Sequence, residues 1–105
     1  MTAQPPTDVE VRDDAEQSRY ELLVAGSLAG FAAYRRAGER VVFTHTEIEL
    51  EWSGHGLGGA LVQGALDDVR GRHLQAVPQC PFVAAFIRGH TDYLDLVDPE
   101  RRTEL

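Results

Sequence analysis

Residues Glu51-Trp52-Ser53-Gly54-His55-Gly56-Leu57-Gly58-Gly59-Ala60 join an alternating apolar stretch to the only long helical pattern in the chain, and their reading decides the fold. Gly54, Gly56, Gly58 and Gly59 lack Cβ, so the backbone here can take positive φ and approach an anion closely. A helix starting at about Leu57 aims its unpaired N–H groups and the positive end of its dipole back at the same turn. The turn is therefore expected to hold an anionic ligand, with the helix's unpaired N–H groups as donors and His55 as a candidate phosphate contact.

Gly54, Gly56 and Gly59 spell G-x-G-x-x-G, a fingerprint shared by unrelated folds. A dinucleotide site needs a βαβ unit with an acid about 20 residues on to hold the ribose. Here the next strand runs into Pro78-Gln79-Cys80 with no acid at its end, and too little chain follows for a doubly wound sheet. A P-loop needs a lysine after the glycines, and the chain has none: its ten basic residues are all arginine.

At 105 residues the chain is long enough for one core of a helix or two against a sheet. Its formal charge of −7 sits at the ends. Residues 1–19 and 92–105 each hold five acids and two arginines, which leaves seven acids and six arginines for residues 20–91. The body is near neutral, and nothing forms the basic footprint of a nucleic-acid binder. The N-terminus has no basic, apolar signal pattern and no apolar run is long enough to span a bilayer, so a cytoplasmic protein without membrane association is expected. One cysteine, Cys80, excludes an internal disulfide framework, and with four scattered histidines it lacks zinc-ligand spacing. No metal is expected.

Residues 1–18 carry two prolines, many acids and little apolar periodicity, which reads as a disordered acidic lead-in dispensable for folding. Tyr20 to Ala25 and Leu28 to Arg36, broken by Gly26-Ser27, read as antiparallel strands. Arg40 to Leu50 reads as a third, with Val41, Phe43, His45 and Glu47 on one face and Val42, Thr44, Thr46 and Ile48 on the other. Leu57, Leu61, Val62, Ala65, Leu66 and Val69 fall at helical spacing to about Arg72. Gly64 within that helix costs about 1 kcal/mol against alanine, which points to close packing there. His73 to Val77 reads as a strand parallel to the third through a right-handed crossover. Pro81 opens a second helix with Phe82, Val83, Phe86 and Ile87 apolar, Tyr93, Leu96 and Val97 dock one further turn, and residues 99–105 form a polar tail. The order is β-β-β-α-β-α, an α/β fold of one mixed sheet with helices packed on it.

This arrangement, with His45-Thr46-Glu47-Ile48, Gly54-His55-Gly56-Leu57-Gly58 and Val77-Pro78-Gln79-Cys80-Pro81-Phe82-Val83 in order, resembles the very short branch of the GNAT superfamily of acyl-CoA-dependent N-acetyltransferases, over roughly residues 19–97. The resemblance implies a minimal GNAT-like domain over 19–98 and acetyl-CoA (coenzyme A) as cofactor. It implies that the glycine turn holds the pyrophosphate through the backbone of Leu57 to Ala60 and that a gap between the central strands, near Leu50 and Val77, takes the pantetheine arm and delivers the thioester beside Cys80. Two positions depart from the family pattern: Glu51 stands where glutamine or arginine is usual, and Ile87 where larger members place a tyrosine acid.

Acetyl transfer to an amine needs a base, an oxyanion stabiliser and an acid for the leaving thiolate. His45 and Glu47, two apart on one strand, are candidate bases pointing into the cleft, histidine having the better-suited pKa. Cys80 at a helix N-terminus, where the dipole favours a thiolate, is a candidate nucleophile or neighbouring group, or a packed thiol. The expected partner is a small-molecule or protein amine acceptor, and so small a domain can borrow an acceptor wall from a second subunit. The other reading is a module that binds CoA, or a protein partner, without catalysis.

Overall fold

The computed structural model describes residues 8–105. Alternating residues build β1 (Val9–Asp14), β2 (Arg19–Val24), β3 (Ser27–Ala37) and β4 (Arg40–Ile48) as an antiparallel meander. Helix α1 (Leu57–Gly71) then carries the chain across to β5 (Gln75–Pro78), which lies parallel to β4 at the end of a sheet ordered β1-β2-β3-β4-β5. Helix α2 (Pro81–Gly89) follows, and 3-10 helices span Leu50–Trp52, Thr91–Leu96 and Pro99–Glu104. The result is the expected α/β fold with a mixed sheet, with one strand more than the pattern predicts: β-β-β-β-α-β-α.

The extra strand lies inside the stretch read as a disordered lead-in, whose residues 1–7 fall outside the described residues. Val9–Asp14 pairs in unbroken register with β2, from Val9 opposite Val24 to Asp14 opposite Arg19. Charge conceals it in the sequence. Val9 and Val11 pack against the core, while Asp13 on the same face accepts the Tyr34 hydroxyl at 2.6 Å and lies 3.3 Å from the Arg72 guanidinium. The alternation Val9-Glu10-Val11-Arg12 is short, and it is broken at the next inward position by a carboxylate whose partners lie far away in the chain. The reading of this stretch as disordered is corrected for Val9–Asp14.

Leu57, Leu61, Val62, Ala65, Leu66 and Val69 of α1 join Tyr20, Leu22, Val41 and Phe43 of the sheet and Val83 and Ile87 of α2 in one buried cluster. Gly64 is where α1 meets β1: a Cβ there would lie 2.7 Å from Val11 Cβ. The polar tail is folded rather than loose. The Asp98 carboxylate accepts from Glu100 N at 3.0 Å and from Arg40 at 3.1 Å, Arg102 Nε donates to the Val97 carbonyl, and Leu105 packs against the core.

Overpacking a well-filled contact costs about 1–3 kcal/mol, enough to outweigh the helix propensity that alanine gains over glycine. Gly64→Ala is therefore expected to lower the Tm, and Val11→Ala in the same chain to recover part of the loss. Thermal melts of the two single variants and the double variant test this; purely additive effects would contradict the contact.

Each of the three tyrosines is buried and donates its hydroxyl to an aspartate: Tyr20 to Asp68 at 2.7 Å, Tyr34 to Asp13 at 2.6 Å, Tyr93 to Asp67 at 2.7 Å. Burial first, then the neighbouring carboxylate, pushes Tyr34 and Tyr93 up to about 12 and raises Tyr20 as well. A phenol with a raised folded pKa contributes stability that is fully present below its unfolded value of about 10 and is lost as pH rises through the folded value. Tyrosinate absorbance is thus expected to be absent from the native protein at pH 10 and to appear with unfolding nearer pH 12. A midpoint near 10 in the folded chain would contradict these bonds.

Candidate functional site

Phe43 pairs with Tyr34 and His45 with Ala33, which leaves Thr44 as an extra residue in β4, a β-bulge. The bulge inverts the alternation. Val41 and Phe43 face α1; beyond Thr44 it is Thr46 and Ile48 that face the same way. Ile48 packs against the core, and Thr46 Oγ lies 3.4 Å from Cys80 Sγ. His45 and Glu47 turn to the opposite face of the sheet, where His45 lies beside Phe31, with centroids 6.1 Å apart. Their side chains are each 60% exposed, with Nε2 and Oε1 3.5 Å apart. The expected common face of Val41, Phe43, His45 and Glu47 is corrected, because one inserted residue flips every side chain after it. Gly30, opposite Ile48, is the one trace of this in the sequence: a Cβ there would lie 2.5 Å from the Glu47 carbonyl oxygen.

β4 and β5 stay paired only from Arg40–Gln75 to Phe43–Pro78. Pro78 has no N–H to continue the ladder. The chain turns through Gln79, and the Cys80 N–H donates to the Phe43 carbonyl at 2.8 Å as the last link. Beyond it no strand among the described residues pairs with that side of β4. Glu49 N donates to the Ala29 carbonyl on β3, so by alternation the backbone groups of Thr46 and Ile48 face the gap. Val77 is buried and paired with Val42, short of the gap; Leu50, on the 3-10 helix after β4, is 90% exposed. The gap therefore opens past Phe43 and Pro78 rather than at Leu50 and Val77.

The glycine turn closes the far end of this gap. Gly54 (φ 83°) and Gly56 (φ 72°) are left-handed, and Gly56 caps α1 with no side chain bonded to the first-turn N–H groups. A cleft of about 260 Å³ is lined by the expected Gly54, Gly56, Leu57, Gly58 and Gly59. Ile48, Trp52 and Phe82, which sequence reasoning missed, add its apolar walls, and Ser53, also missed, lines it as well. Gly58 also serves packing, since a Cβ would lie 2.6 Å from the Phe82 ring. His55 packs edge-on against Trp52, and neither it, Ala60 nor the exposed Glu51 lines the cleft. No arginine occurs from Val41 to Val69, so an anion at this turn would be held by backbone amides.

Cys80, at the N-cap of α2, is 4% exposed, belongs to the buried cluster and does not line the cleft. Tyr93 is committed to Asp67, and His90 stacks on Phe86 at 3.9 Å. Ile87 is fully buried.

The family model of the GCN5-related N-acetyl-transferases matches residues 19–96. The chain belongs to that family. Its fold is similar to the solution structure of a GCN5-like protein from Staphylococcus aureus, with a TM-score of 0.65, 17% identity, and coverage of 88% of this chain and 90% of that one. A ribosomal-protein-alanine N-acetyltransferase from Brucella melitensis biovar Abortus 2308 is more loosely similar, with a TM-score of 0.47, 18% identity, and coverage of 76% of this chain and 60% of that one. No curated protein matches the sequence.

Because Cys80 is sealed in the core, its alkylation by iodoacetamide is expected to be at least about a hundredfold slower in the folded protein than in urea, reaction requiring an opening of the α2 N-terminus. Equal rates in the two conditions would place the thiol at the surface.

Proposed function

We propose that this protein is a cytoplasmic acetyl-CoA-dependent transferase that moves the acetyl group to an amine. The observation that carries the reading is a juxtaposition: an amide-lined cleft at the glycine turn, a β4 edge that β5 leaves after Phe43, and the His45–Glu47 pair on the opposite face of the same strand.

Acetyl-CoA would supply the activated acyl thioester. The N–H groups of Leu57, Gly58 and Gly59 would hold its pyrophosphate, with Gly54 and Gly56 leaving room for close approach; the Ala60 N–H is already given to the Gly56 carbonyl at 3.4 Å. Thr46 and Ile48 would offer their backbone groups to the amides of the pantetheine arm, as a neighbouring strand would, and Trp52 and Phe82 would cover it. From the other face Glu47 would hold the incoming ammonium, and neutral His45 beside it would take the proton. Thr46 would donate a hydrogen bond to the departing sulfur, and Cys80, whose Sγ lies 3.4 Å from Thr46 Oγ, would act through it. Cys80 serves as a neighbouring group in a direct transfer, because a thiol so deeply packed is poorly placed to carry an acyl group.

At Gly56 a Cβ meets nothing within 4 Å, so its costs are the left-handed backbone, about 1–2 kcal/mol, and the space it takes from the ligand. Gly56→Ala is expected to stay folded and to bind acetyl-CoA at least about tenfold more weakly by calorimetry, a loss of about 1.4 kcal/mol. Glu47→Gln and Cys80→Ala should keep that affinity and lose about 10²-fold or more in transfer, with intersecting initial-rate patterns. Failure of the wild type to bind acetyl-CoA overturns the reading. Buried Ile87, at the position of the family's tyrosine acid, favours one other reading, a CoA-binding module without catalysis. Binding with no transfer to any amine would select it.

A further inference from the structure

We infer that the acceptor is an amine on a basic polypeptide segment laid across the open face of the sheet, rather than a free small amine. This rests on the transferase reading and names its substrate class.

The amine has to approach from the face carrying His45 and Glu47, since the other face is filled by α1 and α2. On that face the side chains of His45 and Glu47 are each 60% exposed and that of Arg12 59%. Arg12, Glu21, Phe31 and Glu47 stand opposite one another in a single row across β1 to β4, and Arg19, Ala33 and His45 form the next. This layer is fixed in advance. Glu21 is only 5% exposed because Arg12 Nε at 3.4 Å and Arg19 Nε at 2.9 Å close over its carboxylate, and the Arg19 guanidinium lies over the Phe31 ring at 5.0 Å. Arg12, Arg19 and Glu21 are held by one another rather than free to fold around a small ligand. A free amine meeting Glu47 would make one exposed ion pair, which holds little. A polypeptide can spread over Phe31 and its neighbours and gain from area.

Charge selects the kind of polypeptide. Glu47, Glu49 and Glu51 are exposed around the gap, and no arginine occurs between Val41 and Val69 to offset them. Arg12 and Arg19 are committed to Glu21 on the β1–β2 side, and Arg35 lies past the closed end of the gap, opposite Val42. An acceptor amine flanked by basic residues complements this rim; one flanked by acids is repelled.

The test compares three acceptors with the full chain and acetyl-CoA: an N-terminally blocked lysine peptide flanked by arginines, the same peptide flanked by glutamates, and n-butylamine. The expected kcat/KM for the basic peptide exceeds both others by about tenfold or more and falls as salt is added. Glu49→Gln with Glu51→Gln should raise the basic peptide's KM several-fold while leaving kcat and the calorimetric affinity for acetyl-CoA unchanged. Equal use of n-butylamine or of the acidic peptide, or an unmoved KM in the double variant, overturns the acceptor class and leaves the transferase standing. Absence of acetyl-CoA binding overturns both.

Discussion

The hydrogen bond from the Cys80 N–H to the Phe43 carbonyl is the last tie between the two parallel strands, and the site depends on its being the last. Pro78 cannot donate, and Pro81 commits the chain to α2 two residues after Gln79. β5 therefore leaves the sheet while β4 runs on to Ile48. A strand edge left open in a sheet is ordinarily a liability for aggregation. Here Trp52 and Phe82 line the cleft beside the opening, together with a helix N-terminus whose amides no described side chain caps. Backbone groups without a partner among the described residues are left at both places.

A second constraint divides the labour between the faces of β4. Without the bulge at Thr44, His45 and Glu47 would point under α1 and Thr46 would point to solvent. With it, Thr46 and Ile48 stay on the buried side with Cys80, and the titratable pair reaches the open face. The sequence pattern put His45 and Glu47 on the face of Val41 and Phe43 and put Thr46 and Ile48 on the other; the bulge exchanges the two sets. Gly30 makes the close pairing at this point feasible.

The edge of the sheet is held by a polar layer rather than by apolar burial alone. Asp13 on β1 and Asp67 and Asp68 on α1 each take a tyrosine hydroxyl, and Arg72 reaches both Asp13 and Asp68. These aspartates count as surface charge in any tally of composition, which is why the acidic N-terminal stretch reads as a solvated lead-in. Their meaning is set by partners 21 to 48 residues away in the chain.

The sequence alone determined what depends on neighbouring residues: the meander, the amphipathic α1, the glycine turn with its left-handed positions, Pro81 opening α2 and the parallel β5. Local propensity, period and turn chemistry are all present in a window of a few residues, and the motifs in order pointed to the family. Tertiary structure alone decided the fifth strand, the ordered tail, the side on which His45 and Glu47 stand and the depth at which Cys80 is packed. Each of these turns on a partner distant in the chain: Tyr34 for Asp13, Arg40 for Asp98, β3 for the bulge, Phe43 for Cys80. Pairing across such distances is fixed only when the whole sheet closes on its helices, so no local pattern of residues records it.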